Sequence, residues 1–294
     1  SPEKIPVWKR RYGISDRNIY TYENMHEASN NEDIDVMYIV TPNALHKEHS
    51  IKAANAGKHV WCEKPMATTV EDCRKIIAAC EDNKVRLMIG YRMQHEPITQ
   101  TVINWGKTNP YGKINSLSAE AGFRSGGFNT NHWKLYKKLG GGAMFDMGVY
   151  PLNAARYATR MEPVAVGATQ KIYRDEIFEA DEETVFDLTF PNGIKAHCKT
   201  SFAENINLLD VQCENGWYKL KPMQSYSGVQ GMTSDGKVLS PFSGIQQVKQ
   251  MDDDALAIIN KTPAIVPGEE GLKDIIVVDA IFKSARENGK TISL

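Results

Sequence analysis

Residues 140–150 read GGGAMFDMGVY, three glycines followed by an apolar run that carries Asp146 and Tyr150, four residues apart. Two chemistries fit those residue types. A glycine run opening a helix can cradle a phosphate on its backbone N–H groups. Alternatively, a carboxylate and a phenol at i and i+4 share one helix face and reach a single ligand together. The stretch lacks the Gly-Lys-Ser/Thr ending of a phosphate loop and has no third glycine at GxGxxG spacing. It also follows the α/β part of the chain instead of opening it, so the second chemistry is the one it supports. The glycines then read as letting the backbone pass close beneath a bound substrate and launching the helix. Gly148, inside that helix, costs about 1 kcal/mol against alanine, which marks a close packing contact there.

Three further patterns gather polar residues: Thr41-Pro42-Asn43 with His46, Glu63-Lys64-Pro65, and Gly90-Tyr91-Arg92. Each has an ordinary reading by itself. Thr-Pro-Asn is a turn and helix-start signal, Glu63 beside Lys64 is a surface ion pair of small value, and Arg92 is a solvated side chain. All three nevertheless lie just past a stretch that reads as a parallel strand. Ligands of open α/β sheets bind in the crevice beyond the carboxyl ends of the strands. Lys64 also follows the buried-looking Val60-Trp61-Cys62 and precedes Pro65, which stiffens the backbone.

The elements that must position these residues alternate. Residues 34–40, 59–62 and 85–89 are apolar runs typical of buried strands, and helical patterns at 45–56 and 70–83 separate them. Thr69 with Asp72 three residues on is a weak capping-box signal. This is the βαβ alternation of a parallel sheet with right-handed crossovers. After about residue 112 the period changes. Strand-like alternation at 114–121, 164–172, 184–190 and 195–202, with short strands at 217–220 and 237–239, predicts a mostly antiparallel sheet. A helix over 143–158 carries Asp146 and Tyr150, and another over 272–287 lies near the end. The expected organisation is an α/β domain, residues 1–112, and an α+β domain, residues 113–294, whose last helix is free to pack back on the first.

The chain has 294 residues, 41% hydrophobic and 24% charged, with a formal charge of −1. That length suits two domains, because single cores rarely grow past roughly 250 residues. The run Lys9-Arg10-Arg11 reads as a solvated helix face, so no nucleic-acid partner is expected. No apolar run approaches the ~20 residues a membrane helix needs. The five cysteines, Cys62, Cys73, Cys80, Cys198 and Cys213, match no zinc spacing and read as packed thiols, so no metal is expected. One motif is missing: no glycine-rich turn precedes the first strand, and the opening resembles the helix after a second strand. The expectation is that about 40–60 residues, the size of a βαβ unit, precede residue 1. The alternative is a domain that never had them. SPEKIPVWKRRYG shows no signal-peptide core, and an export signal would lie upstream, so the compartment, cytoplasmic or periplasmic, stays open.

TPNALH, CEKPMA, IGYR and GGGAMFDMGVYPLN, in this order and spacing, resemble the Gfo/Idh/MocA oxidoreductase family. The glucose–fructose oxidoreductase branch is the nearest, and the resemblance extends through the C-terminal PGEEGLKDIIVVDAIFKSARENGK. It implies a Rossmann-type parallel-sheet domain, here lacking its first βαβ portion, and an α+β domain with a large open sheet. It also implies NADP or NAD as cofactor, a sugar or polyol substrate, and a homodimer or homotetramer formed through the open sheet. By this resemblance Lys64 matches the catalytic lysine and Asp146 the aspartate that holds substrate. Tyr150 stands where most members have histidine and this branch has tyrosine. Glu63, Thr41, Pro42 and Asn43 match positions at the nicotinamide riboside, with His46 and Arg92 nearby. Trp133-Lys134 resembles a Trp-Arg pair near the cofactor, with lysine replacing the arginine. Lys4 resembles a lysine near the adenosine 2′-phosphate, which favours NADP.

The chemistry follows. Oxidising a sugar hydroxyl removes its proton while hydride leaves the same carbon. A free phenol, pKa about 10, is a poor base at neutral pH, and a nearby ammonium stabilises the phenolate. Tyr150 is thereby expected as acid/base, Lys64 as its electrostatic partner and Asp146 as the orienting group. Two alternatives stand: a glycosidase of the same fold acting by transient oxidation, and a cofactor-free, non-catalytic homologue.

Overall fold

In the computed structural model, residues 2 to 294 are described, and among them the strands form two sheets. Helix α1, Ile5–Tyr12, buries no residue, and Arg10 and Arg11 are exposed, as expected of a solvated face. Strand β1, Val36–Ile39, leads into α2, His46–Asn55; β2, His59–Cys62, leads into α3, Val70–Asp82; then follows β3, Leu87–Ile89. The three strands pair in parallel in the order β1-β2-β3. The apolar runs became these strands, which are only partly buried: Ile39, Val60, Cys62, Met88 and Ile89 are covered, whereas Val36, Met37, Tyr38 and Trp61 are half-buried. The start of α3 is set by the predicted cap, where Thr69 Oγ1 accepts the Asp72 N–H at 3.1 Å. Helix α4, Pro97–Thr108, was not anticipated from the sequence. Its cap is Glu96, which accepts the Thr99 N–H at 2.7 Å, and glutamate is a weak cap signal.

The second sheet holds β4, Ile114–Gly122, then β5, Ala165–Lys171, β6, Glu183–Thr189, β7, Lys195–Ser201, β8, Ile206–Cys213, β9, Gly216–Leu220, β10, Gly231–Thr233, β11, Val238–Leu239, and β12, Ile292–Ser293. Their order is β11-β10-β9-β8-β4-β7-β6-β5-β12, antiparallel throughout except for the parallel pair β4–β7. One face buries Leu117, Ala119, Phe186, Leu188 and Val211 beneath α5, Val149–Thr159. The other face is charged, with His197 paired to Asp187 and Lys219 to Asp210. Strand β8, absent from the sequence reading, joins the sheet between β9 and β4.

Two more helices lie between β11 and β12: α6, Gln246–Ile259, unanticipated, and α7, Gly268–Arg286, which begins four residues before the expected start. Helix α7 packs on both α3 and β5, and Val266 just before it accepts the Ile89 N–H at 3.0 Å. It therefore fixes the parallel sheet against the large one. Cys62, Cys73, Cys80 and Cys198 are buried free thiols, with Cys213 half-buried.

Candidate active site

The carboxyl ends of the three parallel strands lie in register, Ile39 beside Cys62 beside Ile89. The Glu63 N–H donates to the Ile39 carbonyl at 3.0 Å and the Gly90 N–H to the Cys62 carbonyl at 2.7 Å. The three polar patterns accordingly leave the sheet into one crevice. His46, 1% exposed, ties two of them together: its ring nitrogens sit 2.8 Å from the Pro65 carbonyl and 2.9 Å from the Thr41 carbonyl. Burial pushes its pKa down, against the two carbonyls, which favour the charged ring. Glu63 accepts the Tyr38 hydroxyl. Burial first, then the Glu63 charge, pushes the Tyr38 phenol well up, so it keeps its proton.

The glycine-rich loop docks on this crevice. Asn43 Nδ2 donates to the Gly140 carbonyl at 2.7 Å, and Gly140 adopts φ +73°. A Cβ there would lie 2.7 Å from Asn43 Cβ and Thr68 Cγ2. At Gly142, φ +109°, a Cβ would collide with the Asp181 carboxylate. The passage beneath a substrate expected of these glycines is thus a close approach to protein instead. Asp181 receives the helix start, accepting the Met144 N–H at 2.8 Å. Burial pushes the Asp181 carboxyl up, against hydrogen bonds from Thr184 and Met144.

The expected α-helix at 143–158 opens instead with a π turn, Met144–Gly148, which widens the backbone before α5. The close packing expected at Gly148 is present: a Cβ there would lie 2.6 Å from Met144 Sδ and 3.1 Å from Thr200 Cγ2. Lys64 Nζ donates to the Asp146 carbonyl, and Pro151, five residues on, has no N–H to return to that oxygen. The same ammonium lies 3.7 Å from Asp146 Oδ1 and 4.7 Å from the centre of the Tyr150 ring. Lys134 Nζ binds the other carboxylate oxygen at 2.7 Å. One aspartate is therefore held between two ammonium groups, and the surface-pair reading of Glu63–Lys64 gives way to this inward cluster. Burial alone would lower the Lys64 pKa, but electrostatic attraction to Tyr150, Asp146 and Glu63 outweighs it and holds the ammonium above its usual value.

Arg92, 5% exposed, is not the solvated side chain of its ordinary reading. Its guanidinium donates to the Ser225 carbonyl at 2.5 Å, to Gln224 Oε1 at 2.9 Å, to Gln246 Oε1 and, at 3.4 Å, to the Tyr150 hydroxyl. It braces the Tyr150 hydroxyl, and its guanidinium lies 5.4 Å from the centre of that ring. Trp133 is half-buried, stacked on His132 at 6.4 Å, with the Lys134 ammonium 5.8 Å from its ring. Lys4 is exposed at the N-cap of α1, and among the described residues no interaction joins it to the cluster. Lys134 as a second partner of Asp146, and the Gln224–Tyr226 and Gln246 contacts, were missed by sequence reasoning. Only the adjacency of Lys134 to Trp133 hinted at the first. Behind the site, a turn further along α5, Arg156 bonds Asp274 at 2.6 Å, Glu162 at 2.7 Å and Glu270 at 3.0 Å.

The crevice suits the nicotinamide end of a dinucleotide. Thr41 Oγ1 is buried there without a hydrogen-bond partner, and the Thr41 carbonyl is held by His46 at 2.9 Å. The sequence matches two family models, "Oxidoreductase family, NAD-binding Rossmann fold" over residues 3–91 and "GFO/IDH/MocA C-terminal domain" over residues 100–219.

The chain belongs to the Gfo/Idh/MocA oxidoreductase family.

It is similar to an aldose-aldose oxidoreductase from Caulobacter crescentus, solved with glycerol, at 37% identity and a TM-score of 0.93, covering 100% of this chain and 89% of that one. A D-xylose 1-dehydrogenase [NADP(+)] of Haloarcula marismortui is 29% identical over 286 residues, 93% of this chain and 78% of that protein. A levoglucosan dehydrogenase solved with NADH and levoglucosan shares the fold, with a TM-score of 0.86 at 21% identity, covering 100% of this chain and 88% of that one. Like other Gfo/Idh/MocA proteins, the chain pairs an NAD(P)-binding Rossmann-type sheet with a large, mostly antiparallel one, and it is an NAD(P)-dependent oxidoreductase.

Proposed function

We propose that this enzyme transfers hydride between NADP, or NAD, and a hydroxyl-bearing carbon of a sugar or polyol, with Tyr150 as acid/base. The observation that carries the reading is one ammonium, Lys64, held at once on Asp146 and over the Tyr150 ring. A cation so placed stabilises a phenolate and any negative charge developing on a substrate oxygen. Asp146, fixed by Lys64 and Lys134, accepts hydrogen bonds from neighbouring sugar hydroxyls and sets which carbon faces the cofactor. Arg92 keeps the Tyr150 hydroxyl in place. When bound, the nicotinamide supplies the hydride acceptor. Thr41, Pro42, Asn43 and Glu63 would line its riboside, His46 would hold their turns in shape, and Trp133 would flank it. Lys4 would favour the 2′-phosphate of NADP. The relatives named above act on sugars by their names, which supports the substrate class.

The two-sheet layout supports a cofactor domain over residues 1–112 and a substrate domain over residues 113–294, and the charged outer face of the large sheet is the surface for homodimer or homotetramer formation. The test is to add an aldose or a polyol to the full-length protein with NADP or NAD and follow the absorbance of reduced nicotinamide. Reduction with a sugar supports the reading. Cleavage of a nitrophenyl glycoside with no net nicotinamide reduction would replace it with the transient-oxidation glycosidase.

A further inference from the structure

One aromatic side chain beside the site has no role in that chemistry. Tyr226 is 69% exposed, unusual for a ring so close to buried catalytic groups. It is not on a loose loop. Asn207 Oδ1 accepts the Met223 N–H at 2.9 Å and the Gln224 N–H at 3.0 Å, while Asn207 Nδ2 donates to the Gln224 carbonyl at 2.6 Å. Arg92 then holds the Ser225 carbonyl at 2.5 Å, and its guanidinium lies 4.5 Å from the Tyr226 ring centre and 5.4 Å from that of Tyr150. One arginine therefore sits between the two tyrosines and fixes their separation. Tyr226 is thereby held against Arg92 beside Tyr150, and most of its ring stays open to solvent.

We propose that the exposed ring of Tyr226 is a stacking platform for the C–H face of a ring-form sugar, and that it selects cyclic sugars over open-chain polyols. A pyranose or furanose presents several axial C–H bonds on one flat face, which an aromatic ring covers in a single contact. An extended polyol offers no such face and loses more rotational freedom on being held. Tyrosine suits the task, being rigid, with an apolar body and a polar tip that tolerates water. Fixing the ring in advance through Asn207 and Arg92 lowers the ordering cost of binding. This inference rests on the reading of the site as a sugar oxidoreductase and narrows its substrate class.

The experiment uses the full-length protein, with D-xylose and D-glucose as ring-form probes and xylitol and sorbitol as polyols. Steady-state nicotinamide reduction and calorimetric binding of each probe are measured for wild type, Tyr226→Ala and Tyr226→Phe. The expected result is a KM and Kd for the ring sugars raised about 3–10-fold in Tyr226→Ala, the size of one aromatic contact. Tyr226→Phe is expected to restore both, and the constants for the polyols to move less than about twofold. The kcat for ring sugars falls far less than KM rises, because the contact is made in ground and transition states alike. Sugar constants unchanged in Tyr226→Ala, or shifted equally for sugars and polyols, would overturn the stacking role even with turnover intact. Sugar binding that depends on Tyr226 without nicotinamide reduction upholds the platform and removes the oxidoreductase reading alone. Absence of both binding and turnover overturns both.

Discussion

Two ionic clusters sit on the same helical segment and are built in opposite ways. Around Arg156 one buried cation, 4% exposed, is satisfied by three carboxylates, Asp274, Glu162 and Glu270. Around Asp146 one carboxylate, 13% exposed, is shared by two ammonium groups, and one of these also covers an aromatic ring. The first cluster, to which Lys273 adds pairs with Glu162 and Glu270, joins α5 to α7. The second places one of its ammonium groups over the Tyr150 ring and lies beyond the carboxyl ends of the parallel strands. Ion pairs that hold a fold together leave nothing over, whereas a site must retain hydrogen-bonding capacity for its ligand. The contrast predicts that removing a charge in the first costs stability, and in the second costs activity.

The largest effect expected is at the acid/base. Tyr150→Phe should lower kcat about 10²–10⁴-fold, the range for loss of a general acid–base group, with the fold intact by circular dichroism. Retention of activity would dissolve the distinction between the two clusters. Next, Arg156→Met should destabilise the protein by roughly 3–5 kcal/mol, because it strands the buried Asp274 carboxylate. In a denaturant titration that loss should appear with little change in KM for molecules still folded.

A third ionisable group lies outside both clusters. Asp254 on α6 is buried, and burial, opposed by the Gln250 side chain and helped by Asp253, raises its pKa to about 7. An unfolded aspartate titrates near pH 3.9. Between about pH 4 and 7 the folded state therefore binds more protons than the unfolded state, so stability falls as the pH rises through that window. Asp254→Asn should flatten this slope, gaining roughly 1–2 kcal/mol at neutral pH relative to wild type. An unchanged pH–stability curve would show the group to be better solvated than its surroundings indicate. The smallest expected effect is Lys134→Met, about a tenfold loss in kcat/KM, since Lys64 still holds Asp146.

What was legible in the sequence follows from where ordinary rules apply. The parallel strands and the Thr69 cap were readable because short apolar runs and capping leave local patterns. Helix α6 was not, because its buried face is polar, Gln246, Gln250 and Asp254, while Ile245, Val248, Leu256 and Ile259 point outward. A hydrophobic-period reading looks for the reverse. Strand β8 was missed because Leu208 and Leu209 interrupt its alternation. In the site, Lys64, Asp146 and Tyr150 were legible as motifs, and the structure brings them together. The π turn and the bracing of Tyr150 by Arg92 depend on contacts with residues 144–148 and 224–246, which no local spacing encodes.

The most direct test of the account is Lys64→Met, assayed for sugar-dependent nicotinamide reduction with thermal unfolding measured in parallel. Lys134 continues to pair with Asp146 in this variant, and methionine fills most of the buried stem, so the fold should survive. The account predicts turnover reduced by about 10³-fold or more, with Tm within a few degrees of wild type. Near-normal turnover in a folded Lys64→Met protein would contradict it.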